Sequence, residues 1–143
     1  MKKILYILFA CTLLTSCELE TSGNGHLDGN WQLRQIDTLS TCGICDMSNS
    51  YIYWGVENNL LQIRDIDDGN LKIFFRFSRE NNILTIHSPY RVITKDELMP
   101  VEDIALLQPL GITDTQDSFT IETLSSGKLI LQNDHYRFHF RKY

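Results

Sequence analysis

Apolar and polar residues alternate along most of the chain after about residue 27, the pattern of β-strands with one face on a core and one in water. The clearest apolar faces are Leu71, Ile73, Phe75 and Phe77, and later Tyr136, Phe138 and Phe140. Short turns rich in Asp, Asn and Gly, such as 67–70, separate these segments. The pattern predicts an all-β fold, an antiparallel meander of about eight strands that closes into a barrel because closure removes exposed edges.

One later stretch breaks the alternation. Thr94 is followed three residues later by Glu97, the spacing of a helix capping box, and apolar residues then recur near helical spacing. This predicts one short helix near 101–107, ended by Pro109 and Gly111. The alternative is an irregular surface loop, because prolines disfavour a helix interior.

The start of the chain has the layout of a secretory signal peptide. Lys2 and Lys3 precede an apolar run from Ile4 to Leu14. That run is too short for a transmembrane helix, which needs about 20 apolar residues. We therefore expect residues 1–16 to be removed on export.

The string Leu14-Thr15-Ser16-Cys17 resembles the bacterial lipobox, in which lipid is attached to the cysteine and the chain is cleaved before it. The resemblance implies acyl chains such as palmitate on Cys17 and a permanent membrane anchor. Residues 17–26 are polar and glycine-bearing, which predicts a flexible tether ahead of one domain at 27–143. Acidic residues after the cysteine resemble surface-export signals of Bacteroidetes lipoproteins. The expected location is the cell envelope, on the outer membrane, with periplasmic and surface faces both open.

The charge of the chain argues against nucleic acid as a partner. The sequence has 13 basic and 18 acidic residues. Loss of Lys2 and Lys3 leaves 11 basic residues and a net charge of −7. A phosphate-binding surface needs clustered Lys and Arg, whereas the basic residues of this sequence are scattered.

Gly29-Asn30-Trp31 opens the first predicted strand shortly after the tether. This motif resembles the Gly-x-Trp entrance of lipocalin-like proteins, especially the small lipocalin-like lipoproteins of Bacteroidetes. The resemblance implies that Trp31 plugs the closed end of the barrel and that Gly29 lets the chain approach it.

The end of the chain is also similar to that family. The pattern Phe138-x-Phe140-x-Lys142 resembles the last strand of those proteins. Arg137 and Arg141 are the candidates for a basic residue placed against Trp31. The layout resemblance covers most of the chain after the cysteine.

Cys42-Gly43-Ile44-Cys45 is the sharpest local constellation after the signal peptide. The pair predicts a local disulfide that clamps its loop, as expected in an oxidising compartment. A redox-active pair and half of a zinc site are the alternatives. Zinc would need two further ligands, for which the candidates are His26, Asp46 and His87. No metal and no cofactor are expected.

Enzymatic motifs are not found in the sequence. There is no Gly-x-Ser-x-Gly elbow for an esterase, and the four histidines have no recognisable partner spacing. The acidic run at 65–68 coincides with a turn, which Asp, Gly and Asn favour without any catalytic role. We therefore expect a protein that is not an enzyme.

Interior aromatic residues suggest a ligand pocket. A small barrel either fills its interior with side chains or holds one small apolar ligand. The candidate pocket residues are Phe75, Phe77, Phe119, Tyr136, Phe138 and Phe140. We expect a membrane-anchored protein that binds a small hydrophobic ligand or an envelope partner. The alternatives are a ligand-free structural module of an envelope complex, and a thiol-redox or metal-binding protein that uses Cys42 and Cys45.

Three further aromatic residues, Tyr51, Tyr53 and Phe74, fall on the other strand faces. Flat rings in such positions either stack on a sugar or a partner protein, or form a second core face.

Overall fold

The computed structural model describes residues 23–143, in which ten antiparallel β-strands form one sheet. The all-β prediction is confirmed. The strands are β1 (Gly29–Thr38), β2 (Gly43–Asp46), β3 (Ile52–Glu57), β4 (Leu60–Asp65), β5 (Leu71–Glu80), β6 (Ile83–Thr94), β7 (Glu97–Pro100), β8 (Asp117–Leu124), β9 (Lys128–Gln132) and β10 (Tyr136–Lys142).

Eight of these strands close into a barrel. Their order is β1-β3-β4-β5-β6-β8-β9-β10, and β10 pairs back onto β1. The two remaining strands extend the sheet: β2 pairs with β1 and β7 pairs with β6. The predicted meander and its closure are therefore confirmed.

Several turns between the strands contain asparagines with positive φ. Asn58, Asn70 and Asn81 have positive φ at the turns that follow β3, precede β5 and follow β5. Asn tolerates this conformation because its short side chain bonds locally to the backbone. These turns bring sequence neighbours side by side around most of the barrel.

Inward-facing residues of the strands form one core inside the barrel. Its largest fully buried side chains are Trp31, Trp54, Phe75, Phe119 and Phe138. The alternation in the sequence follows the pleat, since successive side chains of a strand point to opposite faces.

The stretch from 94 to 110 differs from the predicted form. Thr94 pairs with Glu97 across the β6–β7 hairpin, so the predicted capping box is wrong. The short helix consists of two 3₁₀ turns, Ile104–Leu106 and Gln108–Leu110. The Asp103 side chain caps the first by accepting the Ala105 N–H at 2.9 Å.

The predicted signal peptide and Cys17 lie outside the described residues. Of the predicted tether, Gly25 and His26 begin a 3₁₀ turn, Gly25–Leu27, whose last side chain is buried in the core. Within 23–143, no helix has the length and apolar character needed to cross a membrane.

Candidate functional site

Trp31 lies at the end of the barrel where the chain enters, which we call the closed end. This side chain is fully buried at the start of β1. Its indole Nε1 donates a hydrogen bond to the Leu27 carbonyl at 2.9 Å. The Trp31 ring therefore lies across this closed end and fixes the 3₁₀ turn that precedes the barrel.

Lys142 is the basic residue that faces Trp31. Its Nζ lies 4.4 Å from the centre of the Trp31 ring and donates to the carbonyl of His26 at 3.2 Å and to that of Asp28. Burial lowers the pKa of the Lys142 ammonium, and the Asp28 charge opposes that shift.

Gly29 is required by this contact. Its φ is +115°, and a Cβ there would lie 2.8 Å from Lys142 Cε and Nζ. Only glycine takes this backbone region readily and leaves room for the lysine.

The sequence candidates Arg137 and Arg141 do not contact Trp31. Trp31 and Lys142 are direct partners in the β1–β10 ladder and share the inner face. Arg137 and Arg141 are odd numbers of residues from Lys142 and face outward, because side chains alternate along a strand. Arg137 instead pairs with Glu122 at 2.9 Å.

The predicted pocket aromatics lie together inside the barrel, around Trp54. The Trp54 ring centre is 5.7 Å from Phe119 and 5.0 Å from Phe140. Phe119 and Phe138 meet edge to face at 5.6 Å, a favourable ring geometry. Phe75 and Phe77 join the same core, with Tyr136 packed against it. These side chains pack against one another in the core of the barrel.

The opposite end, the mouth, is covered by residues 101–112, which we call the mouth cover. Leu107, Leu110 and Ile112 bury their side chains in the core. Gly111 has φ +79°, and a Cβ there would lie 2.6 Å from the Phe138 ring. The cover thus packs onto the aromatic interior, and its two 3₁₀ turns lie in the stretch where apolar spacing predicted a short helix.

Asn133, in the turn before β10, fastens the cover. Its Nδ2 donates to the Gly111 carbonyl at 3.5 Å and to the Asp117 carboxylate at 3.1 Å. Its Oδ1 accepts the N–H groups of His135 at 3.0 Å and Tyr136 at 2.8 Å. This buried amide therefore connects the cover to two strands of the barrel.

Asp117, at the start of β8, is the titratable group of the mouth. Burial raises the pKa of its carboxyl, and hydrogen bonds from Thr113, Asn133 and Ser118 partly oppose that shift. The Thr113 N–H donates to this carboxylate at 3.4 Å, directly after the cover.

Cys42 and Cys45 are free, exposed thiols in this structure, which does not contain the predicted disulfide. Cys42 lies in the turn before β2 with φ +55°, whereas Cys45 is inside β2 and lies 3.5 Å from the Met47 sulfur. The two cysteines thus lie in different local structures, one in a turn and one in a strand, and they are not bonded to each other. Among residues 23–143, no three His, Cys, Asp or Glu side chains gather into a metal-binding group.

Eight antiparallel strands closed around an aromatic core, with a tryptophan and a lysine at one end, define a small barrel of the lipocalin type. The model of the family described as "Lipocalin-like domain" matches residues 12–143. The chain belongs to this family.

Two solved structures show the same fold. A lipocalin-like protein from Bacteroides uniformis ATCC 8492 is 23% identical, with a TM-score of 0.66 over 83% of this chain and 100% of that one. An uncharacterized protein from Bacteroides eggerthii DSM 20697 is 17% identical, with a TM-score of 0.57 over 81% of this chain and 98% of that one. Comparison with curated proteins gives no match.

Proposed function

We propose that this protein is a membrane-anchored extracytoplasmic binding protein that takes up a small hydrophobic ligand at the mouth of its barrel. The observation that carries the proposal is the seating of Leu107, Leu110 and Ile112 on the aromatic interior. The mouth cover occupies an apolar site that a ligand would fill. Ligand binding then exchanges one apolar contact for another.

The cover is suited to such an exchange because it has no strand ladder of its own. Its 3₁₀ turns are held by local backbone bonds and by the contacts of Gly111 with Phe138 and Asn133. Burial stabilises by about 25 cal/mol per Å² of apolar surface, so a ligand of matching area compensates for displacing the cover.

The side chain of Trp54 favours a ligand that carries a hydrogen-bond acceptor. Its Nε1 is buried inside the barrel and meets no acceptor among the described residues. Such a donor costs about 1–3 kcal/mol when unpaired. A fatty acid, with an apolar chain and a carboxylate, is therefore a suitable probe.

The anchor in this proposal is lipid on Cys17, supported by the lipobox resemblance of Leu14 to Cys17. The described chain enters the barrel at the closed end through Gly25–Leu27, the end opposite the mouth. Cys17→Ala should release the protein from the membrane fraction. Unchanged membrane association, together with a free amino terminus on the processed chain, would reject lipidation.

Native mass spectrometry of the chain extracted from its producing cells tests ligand binding. We expect a bound mass that disappears on denaturation. Palmitate should then change the tryptophan fluorescence of the protein and bind more tightly to a Leu107→Ala, Leu110→Ala variant, because a weaker cover competes less. The exposed Leu98→Ala serves as the matched control. Absence of both a bound mass and palmitate binding would reject this function.

A second candidate is an interaction module of the envelope. On the β6–β7 hairpin beside the mouth, Ile93, Leu98 and Met99 are 43%, 61% and 52% exposed. A photo-reactive residue at Leu98 should cross-link a partner in producing cells if this surface is an interface. The same residue at Ile83, exposed near the closed end, is the control.

A further inference from the structure

Six residues form one continuous row across the outer wall of the barrel. The strand registers place them side by side, in the order Lys128, Arg141, Gln32, Tyr53, Arg64, Lys72. Each of the six alternates with inward-facing neighbours, so the row lies on the outer wall, where Gln32 and Tyr53 are themselves buried and the four cations are more exposed. We call it the basic row, because four of its members are cations and none is a carboxylate.

The cations of the basic row are not neutralised by ion pairs. The salt bridges among residues 23–143 are Arg137 with Glu122 and His139 with Asp37, both outside the row. The whole chain nevertheless has a net charge of −5. The basic row is therefore a positively charged part of a protein whose net charge is negative.

Tyr53 and Gln32 hold the guanidinium groups in place. Arg64 lies 5.5 Å above the Tyr53 ring, whose other contact is the edge of Tyr143 at 5.1 Å. The Arg64 Nε is buried and has no acceptor among the described residues. Arg141 donates to Gln32 Oε1 at 3.5 Å. Arginines fixed in this way lose little further freedom when they bind an anion.

Arg34 approaches the same Gln32 oxygen at 3.5 Å. Its charge also acts on Asp46, whose pKa is lowered mainly by hydrogen bonds from Ser48. Arg34 is thus a further cation beside Gln32, although it is not one of the six ladder partners of the basic row.

A second row runs beside the first, nearer the closed end. Asn30, Gly55, Gln62, Phe74 and Tyr90 are successive partners across five strands. The first four of these residues line a surface groove of about 1140 Å³, in which the Asn30 side-chain oxygen lies beside Gly55. Amide side chains donate to and accept from hydroxyls, and aromatic rings stack on flat apolar faces. These are the groups that bind pyranose rings.

The groove also has an acidic side. Asp28 and Glu57 lie along it at the closed end. The side that binds an anion is therefore the one next to Arg64 and Lys72.

The shape of the basic row identifies the kind of anion. It crosses six of the eight barrel strands, five steps of about 4.8 Å each, and so bends around a large part of the wall. A flat membrane surface touches only one side of a barrel at a time. A flexible linear polyanion can follow the whole row.

We propose that the outer wall of this barrel binds a linear anionic polysaccharide. Its carboxylates lie on Arg141, Arg64 and the lysines of the basic row, and its sugar rings lie against Gln62, Phe74 and Gly55 in the groove. This site is separate from the barrel mouth and does not depend on the ligand proposed there.

Binding of the full chain to immobilised polygalacturonate tests the proposal. We expect binding that weakens as salt is raised, because anion contacts of exposed cations are screened. The variant Arg64→Gln, Arg141→Gln should bind at least about tenfold more weakly, since two charge-assisted contacts are lost. The matched variant Arg79→Gln, Arg91→Gln makes the same charge change off the row and should bind as the unchanged protein does.

A second double variant distinguishes loss of the binding site from loss of the fold. Lys72→Gln, Lys128→Gln removes two cations of the row that stack on no ring, and it should also weaken binding. Phe74→Ala should weaken binding to polygalacturonate without affecting binding to polyglutamate, which has carboxylates but no sugar rings.

Four outcomes would overturn the proposal. They are no binding to polygalacturonate, equal loss in the matched variant, equal binding to polyglutamate with no effect of Phe74→Ala, and binding only to vesicles of anionic phospholipid. The third would identify an acidic protein partner, and the fourth would identify membrane docking.

Discussion

The two ends of the barrel are closed by different means. At the closed end, Trp31 and Lys142 are direct partners of the β1–β10 ladder, so the closure is part of the sheet. At the mouth, the closure is a segment without strand pairing that is held by side-chain contacts and the amide of Asn133. The closed end can therefore open only if the barrel itself comes apart, whereas the mouth can open while the barrel stays folded.

The largest effect is expected from Trp31→Ala at the closed end. Removal of a fully buried tryptophan costs about 3–5 kcal/mol, and the Lys142 ammonium loses its ring partner as well. Urea unfolding should show this loss as one cooperative transition of the whole barrel. The exposed Leu98→Ala should change the free energy of unfolding by less than about 0.5 kcal/mol. A loss below about 1 kcal/mol for Trp31→Ala would contradict the role of Trp31 in closure.

Gly111→Ala tests the mouth. The positive φ costs an alanine about 1–2 kcal/mol, and the added methyl also displaces the Phe138 ring. Hydrogen exchange should speed up in the mouth cover while the β1–β10 amides stay protected.

Gly127→Ala is the matched control for this change, because nothing lies within 4 Å of a Cβ at that turn. It should leave exchange in the cover unchanged. Equal acceleration of exchange in the cover and the barrel after Gly111→Ala would show that the mouth does not open independently.

The alternating pattern was sufficient to predict the barrel and its interior. Period two is local, so it could be found in the sequence and it fixed which aromatic residues point inward. Lys142 was missed although its motif was recognised, because its contact with Trp31 depends on the register of two strands 111 positions apart. The sequence contains no local signal for that register.

The mouth could not be predicted in the same way. The apolar spacing of the cover predicted one short helix, whereas the structure has two 3₁₀ turns, and the spacing does not reveal which of its apolar residues enter the core. The separation of Cys42 and Cys45 likewise depends on where β2 begins beside β1, which the spacing of two cysteines does not reveal. The basic row could not be predicted from the sequence for the same reason, because its members are scattered in sequence and are adjacent only through strand pairing.

Lys142→Met should have a smaller effect than the two changes above. Methionine retains the apolar contact with Trp31 but leaves the carbonyls of His26 and Asp28 without the ammonium donor. A cost of about 1–2 kcal/mol is expected in urea unfolding, from the lost charged hydrogen bonds. Exchange in the mouth cover should not change. The exposed Lys128→Met is the control, and an equal cost there would show that the effect is only one of net charge.

The smallest effect is expected from the protonation of Asp117 at the mouth. Because burial raises its pKa, the folded state holds this proton more tightly than the unfolded state, whose Asp pKa is about 3.9. Its contribution to stability should therefore fall as pH rises from about 4 through the raised pKa. Three donors to the carboxylate, from Thr113, Asn133 and Ser118, limit the loss.

Asp37, in β1 beside β10, has its pKa shifted in the opposite direction. Burial favours its protonation, but hydrogen bonds from Gln35 and His139, with the charges of His139 and Arg137, outweigh that effect and lower its pKa. Its contribution should be lost as pH falls through the lowered pKa. Thermal midpoints should be measured from acid to neutral pH. In Asp117→Asn the midpoint should no longer fall as pH rises toward neutral. In Asp37→Asn the midpoint should no longer fall as pH is lowered into the acid range. If both variants altered the same limb of the curve, the mouth and the wall would share one opening equilibrium, and the mouth could not act as an independent gate.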